Sequence, residues 1–354
     1  MLYPVLFTPI YKEMIWGGHR LRDIYGHQPP FERTGESWDI TCRPREMGKV
    51  ENGPLSGMEF SALIDSDRTG VLGKRVAAAG RFPLLVKIID ANDNLSVQVH
   101  PDDAYAALHG GGDSGKNEMW YIMTAPDDGH LLIGLEEGIT RETLAAALAA
   151  GDKDQIERGI SRLPVRAGDM INIPSGLVHA LTKGVMVAEV QQNSDLTYRL
   201  YDYNRLGADG RPRELHVEAA LATADFDGRI EKRAIPGLCV EKGENKLTYA
   251  IANRYFAAIK YEIKEPLVEQ SDTDAFCVFT CVEGLCRIEA AEAVDIPAGR
   301  SVFVPAGLGA YTLSGDGTLL KSFVPDIEKD FVLPLKMHGY TEDEIFKHTA
   351  VSRV

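Results

Sequence analysis

Residues 167–177 read Ala167-Gly168-Asp169-Met170-Ile171-Asn172-Ile173-Pro174-Ser175-Gly176-Leu177. Residues 298–308 read Ala298-Gly299-Arg300-Ser301-Val302-Phe303-Val304-Pro305-Ala306-Gly307-Leu308. Each stretch is a glycine turn, a short strand of apolar and β-branched residues, and a Pro-x-Gly turn. The offset from Gly168 to Gly299 is 131 residues, far beyond the roughly 20–50 residues of a solenoid repeat and close to the size of a domain. The chain therefore reads as two tandem β-domains.

Working outward, the first half holds strand-like runs at Phe82 to Asp90, Leu95 to His100, Glu118 to Thr124, His130 to Gly134, Met170 to Ile173 and Val185 to Gln191. They are short, rich in Val and Ile, and separated by Gly, Asp and Asn. That pattern suits a sandwich or barrel rather than βαβ units. Thr140 is a good N-cap for a helix over Arg141 to Ala150 that stops at Gly151, and a second helix is expected from Pro212 or Arg213 to about Ala224. The expected division is 1–235 and 236–354, with a small helical insertion at about 139–163 in the first unit. The tail after Pro325 alternates poorly, and packing back on the first domain is one arrangement open to it.

At 354 residues, and roughly 150 per domain, two units with real cores are affordable. Hydrophobic content of 44% and charged content of 25% are those of a folded globular chain. The net charge of −14 argues against nucleic acid or an anionic membrane surface as partner. An anionic ligand would need a local cluster of Lys and Arg. No apolar run approaches the roughly 20 residues of a bilayer span, and Met1 to Met14 lacks the basic start and cleavage site of a signal peptide. Five cysteines, an odd number without a CxxC, point to reduced thiols and a cytoplasmic protein; Cys277, Cys281 and Cys286 read as core thiols.

The segment Gly168 to His179 completes a Gly-x5-Pro-x-Gly-x2-His pattern. Upstream, Gln98 and His100 share one strand face, because residues i and i+2 of a strand point the same way, and Glu118 opens the next strand. These four make an N/O ligand set for a divalent metal. Lys116 lies two residues from Glu118. Lys87, in Val86-Lys87-Ile88, is a lone charge inside an apolar strand, aimed at a polar cavity. Asp195, Thr197, Arg199 and Tyr201 are expected on one strand face. Trp16 and Trp38 could wall a pocket, and Gly110 to Gly115 reads as a hairpin loop without Walker spacing.

Taken with Trp16-Gly17-Gly18, Gly35-Glu36-Ser37-Trp38, Leu95-Ser96-Val97-Gln98-Val99-His100-Pro101, Lys116-Asn117-Glu118, Ile173 to Ala180 and Ser194 to Asp202, the chain resembles the cupin superfamily and, within it, the type I mannose-6-phosphate isomerases of the short bacterial class. The resemblance spans roughly residues 1 to 325. It implies a mainly β fold of two tandem cupin domains (double-stranded β-helix, or jelly-roll). It also implies one Zn²⁺ per chain bound by Gln98, His100, Glu118 and His179, with Arg199 and Lys116 at the reacting end of the substrate site. Lys87, Trp16 and Glu36 are expected as substrate-binding residues, and a small hexose phosphate as the partner. Ala310 stands where His179 falls in the first copy, so the second cupin domain is expected to be metal-free.

The implied reaction is interconversion of mannose 6-phosphate and fructose 6-phosphate through a cis-enediol. Zinc suits it because hydrogen moves without net oxidation. The general base stays open among a zinc-bound water, Lys116 and a pocket carboxylate such as Glu36. Two rival readings follow from the same residues: an Fe(II) cupin oxygenase, whose facial triad is also two histidines and a carboxylate, and a non-catalytic sugar-phosphate-binding cupin. Gln98 and the cluster of cations favour the isomerase.

Overall fold

A computed structural model describes residues 2–207 and 210–352. Among them the strands form three sheets. In the first half a six-stranded sheet runs, in spatial order, Met170–Ile173, Glu118–Thr124, Met186–Gln192, Leu84–Asp90, Thr34–Ile40 and Ile10–Gly18. A five-stranded sheet opposes it, in the order Tyr198–Tyr201, Val97–Val99, His179–Leu181, His130–Leu135 and Ile160–Pro164. Neighbours are antiparallel throughout. The architecture is the mainly β, cupin-type fold expected.

The expected strands are present, with Glu118–Thr124 and Met170–Ile173 bounded as read from the sequence. Thr140 caps the helix Arg141–Ala150: its hydroxyl accepts the Thr143 N–H at 3.2 Å, the Thr143 hydroxyl accepts the Thr140 N–H at 2.9 Å, and Gly151 ends the helix at φ +63°. The second expected helix is shorter, Val217–Thr223, because Arg213 is drawn off into a bidentate pair with Asp202 at 2.7 and 2.6 Å. Helices at Phe60–Ser66, Arg68–Leu72, Lys74–Ala77 and Asp103–His109 were not expected.

The second half repeats the sheet order with Asn245–Ala252, Ala257–Ile263, Ala310–Phe323, Cys277–Glu289 and Ser301–Val304 side by side. Strand Val5–Thr8 joins that sheet, pairing Val5 with Phe303. Behind the junction Phe7, Phe60, Phe82, Phe276 and Phe303 form a buried cluster with centroid separations of 4.4 Å (Phe7 and Phe60), 4.8 Å (Phe60 and Phe82) and 5.1 Å (Phe276 and Phe303). Such pairs add about 0.5–1.5 kcal/mol each beyond their buried area, so the halves share a core. The tail packs mainly on the second half, with Phe331, Val332, Leu335 and Ile345 buried in its core, while from the first half Arg75 reaches the Val324 carbonyl and Asp330 and Arg233 reaches the Lys347 carbonyl. All five cysteines are free thiols, with Cys277, Cys281 and Cys286 buried. No described helix is long and apolar enough to cross a membrane.

Candidate active site

Two rows of side chains face each other across the first half. On the six-stranded sheet, register places Trp38, Lys87, Glu189 and Trp120 in line on four adjacent strands. On the opposing sheet Arg199, Gln98 and His179 are aligned on three. Between the rows lies a cavity of about 230 Å³ lined by Trp16, Glu36, Lys87, Gln98, Lys116 and Arg199, all expected from the sequence. Lys12, Glu189 and Arg213 also line it and were missed. Glu189 had a readable signal, a lone carboxylate in an apolar strand matching Lys87 in its neighbour. Lys12 and Arg213 come from segments whose approach is a long-range matter.

Beneath Gln98 and Lys116, His100, Glu118 and His179 converge, with one ligand atom from each within 4.8 Å of the others and all three residues buried. His100 Nδ1 lies 2.8 Å from the Leu196 carbonyl oxygen, and His179 Nδ1 lies 2.8 Å from that of Leu177. Each Nδ1–H therefore donates to backbone and leaves an Nε2 lone pair facing inward. Both Nε2 atoms stand 3.4 Å from Glu118 oxygens. Acceptors facing acceptors repel unless a cation joins them. Glu118 Oε1 is buried without a hydrogen bond, and Lys116 Nζ donates to Glu118 Oε2 and lies 2.9 Å from His100 Nε2. Burial first and Lys116 second push the His100 imidazole down to about 3, so it is neutral and free to ligate. Burial would raise the Glu118 carboxyl, but Lys116 and His100 outweigh it and hold it well below its ordinary value. The Gln98 amide nitrogen lies 3.3 Å from His179 Nε2. A cluster of two imidazoles and one carboxylate with an unpartnered oxygen fits a divalent metal.

The pocket cations differ in what they already hold. Lys87 Nζ lies 3.5 Å from Glu36, 3.4 Å from Glu189 and 4.7 Å from the Trp38 ring centroid. Burial would depress this ammonium, but Glu36 and Glu189 outweigh it and raise it above its usual value. Trp38 and Trp120 fix the two carboxylates by indole N–H donation at 2.6 and 2.9 Å. Arg199, by contrast, has no ion pair among the described residues, and its Nε is buried without a partner. Tyr201 departs from the expected face. A bulge between Arg199 and Tyr201 shifts the register, sending Tyr201 into the helix-side core with Tyr198, while Asp195, Thr197 and Arg199 line the cavity. Gly110 to Gly115 do not line the cavity; rather than a hairpin they form the link from helix Asp103–His109 toward strand Glu118–Thr124, anchored by an Asp113–Arg43 pair at 2.8 Å.

Comparison with known proteins agrees with this site. Residues 5–125 match the family model for the phosphomannose isomerase type I catalytic domain, and residues 245–324 match that for the mannose-6-phosphate isomerase cupin domain. The Bacillus subtilis (strain 168) protein named "Probable mannose-6-phosphate isomerase GmuF" is 40% identical over 74% of this chain and 81% of its own. Mannose-6-phosphate isomerase ManA of the same organism is 37% identical over 82% and 89%. The crystal structure of the mannose 6-phosphate isomerase from Bacillus subtilis superposes with a TM-score of 0.81 at 32% identity, covering 91% of this chain and 99% of that one. The chain belongs to the type I mannose-6-phosphate isomerase family and is an isomerase.

Proposed function

We propose that the chain interconverts mannose 6-phosphate and fructose 6-phosphate through a cis-enediol, using one zinc ion held by Gln98, His100, Glu118 and His179. The observation that carries this reading is the pair of inward Nε2 lone pairs set against Glu118 at the floor of a cationic pocket. When bound, zinc would supply Lewis-acid stabilisation of the substrate oxygens without redox chemistry. Arg199, as the unpaired guanidinium on the wall, has its planar fork free for an anionic oxygen. Lys116 stands at the floor beside Glu118, placed to neutralise negative charge developing on an enediolate. Lys87 holds Glu36 and Glu189 in place while presenting its own ammonium to the cavity, and Trp16 supplies an apolar wall for the sugar ring.

We further infer that residues 1–235 act as the catalytic unit and residues 236–354 as a metal-free partner, with Val5–Thr8 lent to the second sheet. The free thiols accord with a cytoplasmic setting. The test is metal analysis of the purified protein beside a coupled assay for fructose 6-phosphate, before and after chelation. Zinc near one per chain, with activity lost on chelation and restored by zinc, is expected. Full turnover by metal-free protein would overturn the zinc reading, and iron with oxygen uptake would favour the oxygenase.

A further inference from the structure

The strand registers of the two halves superimpose residue by residue. In the first half Ile171, Trp120, Glu189, Lys87 and Trp38 are aligned on adjacent strands. In the second, Val302, Phe279, Lys321, Ile259 and Tyr249 occupy the corresponding line. The ligand positions map in the same way. Ile173 pairs with Glu118 as Val304 pairs with Cys277, and His179 pairs with Gln98 as Ala310 pairs with Gln270. The place of the glutamate in the first barrel's row is thus taken by a lysine, and the place of the ligand carboxylate by a thiol.

An apolar filling would be the expected fate of a barrel interior that has lost its metal ligands. Instead the equivalent position holds a cavity of about 390 Å³, larger than the catalytic one and within the size range of ligand sites. Lys321 projects into it with 16% of its side chain exposed, its Nζ 3.1 Å from Glu269 and 3.3 Å from the Tyr261 hydroxyl. Lys242 holds the other Glu269 oxygen at 3.1 Å. Among the described residues the Tyr311 hydroxyl meets only the Cys277 sulfur, at 3.9 Å, a weak partner. Burial pushes the phenols of Tyr261 and Tyr311 above their ordinary range, so both keep their protons. The tail closes one wall through Lys329, Asp330 and Pro334.

Charge decides the ligand class. The catalytic cavity is lined by five cations against three carboxylates, with Arg199 unpaired. Here three lysines face three carboxylates, and each lysine is already paired, Lys329 with Asp272 at 3.2 Å. No cation is spare for a phosphate. What the cavity offers is aromatic wall from Tyr249, Phe276 and Phe323 together with fixed hydroxyl, ammonium, amide and carboxylate groups. We propose that the second barrel is a binding site for an uncharged, hydroxyl-rich small molecule with one apolar face, such as an unphosphorylated hexose or hexitol. The site is independent of the metal and of the isomerase reading.

Saturation-transfer NMR on the full chain, with mannose and mannitol as probes, tests this. Binding of at least one probe is expected. Lys321→Met should weaken it at least about tenfold, the cost of losing a hydrogen bond to a charged group. Gln270→Ala, at an exposed position on the mouth, guards against a folding failure of the first variant and should weaken binding several-fold. Arg199→Ala should leave the signal intact, and mannose 6-phosphate should not displace the probe. The proposal is overturned if neither probe binds, if Arg199→Ala abolishes binding, if mannose 6-phosphate competes, or if both second-barrel variants bind as wild type.

Discussion

The two barrels share a backbone and differ in a handful of inward-facing side chains. Gly168 and Gly299 open equivalent turns at φ +93° and +87°, and equivalent strands follow them. Yet one floor presents two imidazoles and a carboxylate, while Cys277 and Lys321 line the other cavity and Ala310, at the His179 position, is exposed. The turn-strand-turn motif therefore specifies a scaffold, and among the described residues a group able to hold a metal arises where His179, His100 and Glu118 are added to it. Position on the sheet is conserved between the halves even where charge is inverted, as at Glu189 and Lys321.

The largest expected effect breaks this contrast at its centre. His179→Ala should lose bound zinc and lower kcat/KM by about a thousandfold or more, since the Lewis acid contributes several kcal/mol. The reciprocal Ala310→His should leave zinc content unchanged, because Asp272 is tied to Lys329 and burial pushes the Cys277 thiol up to about 11. Zinc retained by the first variant, or doubled in the second, would break the comparison. Next in size, Lys87→Met should destabilise by about 3–5 kcal/mol in a denaturant melt, leaving buried Glu36 and Glu189 without their cation. Lys321→Met should cost less, because that ammonium is more exposed and Glu269 keeps Lys242.

Arg199→Ala is expected to lower kcat/KM about ten- to a hundredfold with unchanged metal content and melting, as one charged hydrogen-bonding group is lost. An equal loss of stability would make it structural instead. The smallest effect compares the turns. Gly168→Ala would bring its Cβ no closer than 4.0 Å to the Tyr121 hydroxyl and should cost about 1–2 kcal/mol from the left-handed backbone alone. Gly299→Ala should cost more, since its Cβ would stand 2.8 Å from Tyr25.

Local signals were legible in the sequence. The Thr140 cap, the Gly151 stop and the strand that Glu118 opens all depend on neighbours within a few residues. Period two by itself places only Gln98 and His100 on one face; that His100, Glu118 and His179 would cluster was implied by the resemblance their motifs carry. Tyr201 was misplaced because a one-residue bulge reverses that parity, and nothing in Thr197 to Tyr201 marks where the bulge falls. Helices at 60–77 were missed because their short runs lack strong periodicity. Lys12 and Arg213 reach the pocket from opposite ends of the first half, through pairings that only the assembled sheets determine.

The exchange of Val5–Thr8 into the far sheet sets a timetable for synthesis. The Phe7 carbonyl accepts from Arg300, 293 residues later, so this apolar strand emerges long before the strand that follows Arg300 and pairs with it. Lys49 and Val50 pair with Thr8 and Phe7 on one edge, but at about 5–20 residues per second, translation leaves the edge that takes Val302 and Phe303 unpaired for about 15–60 s. During that interval this one side of Val5-Leu6-Phe7-Thr8 is an open edge, the kind that pairs with foreign strands. A chain cut short before Ser301 would keep every residue of the catalytic floor and still lack the strand that closes over its own beginning.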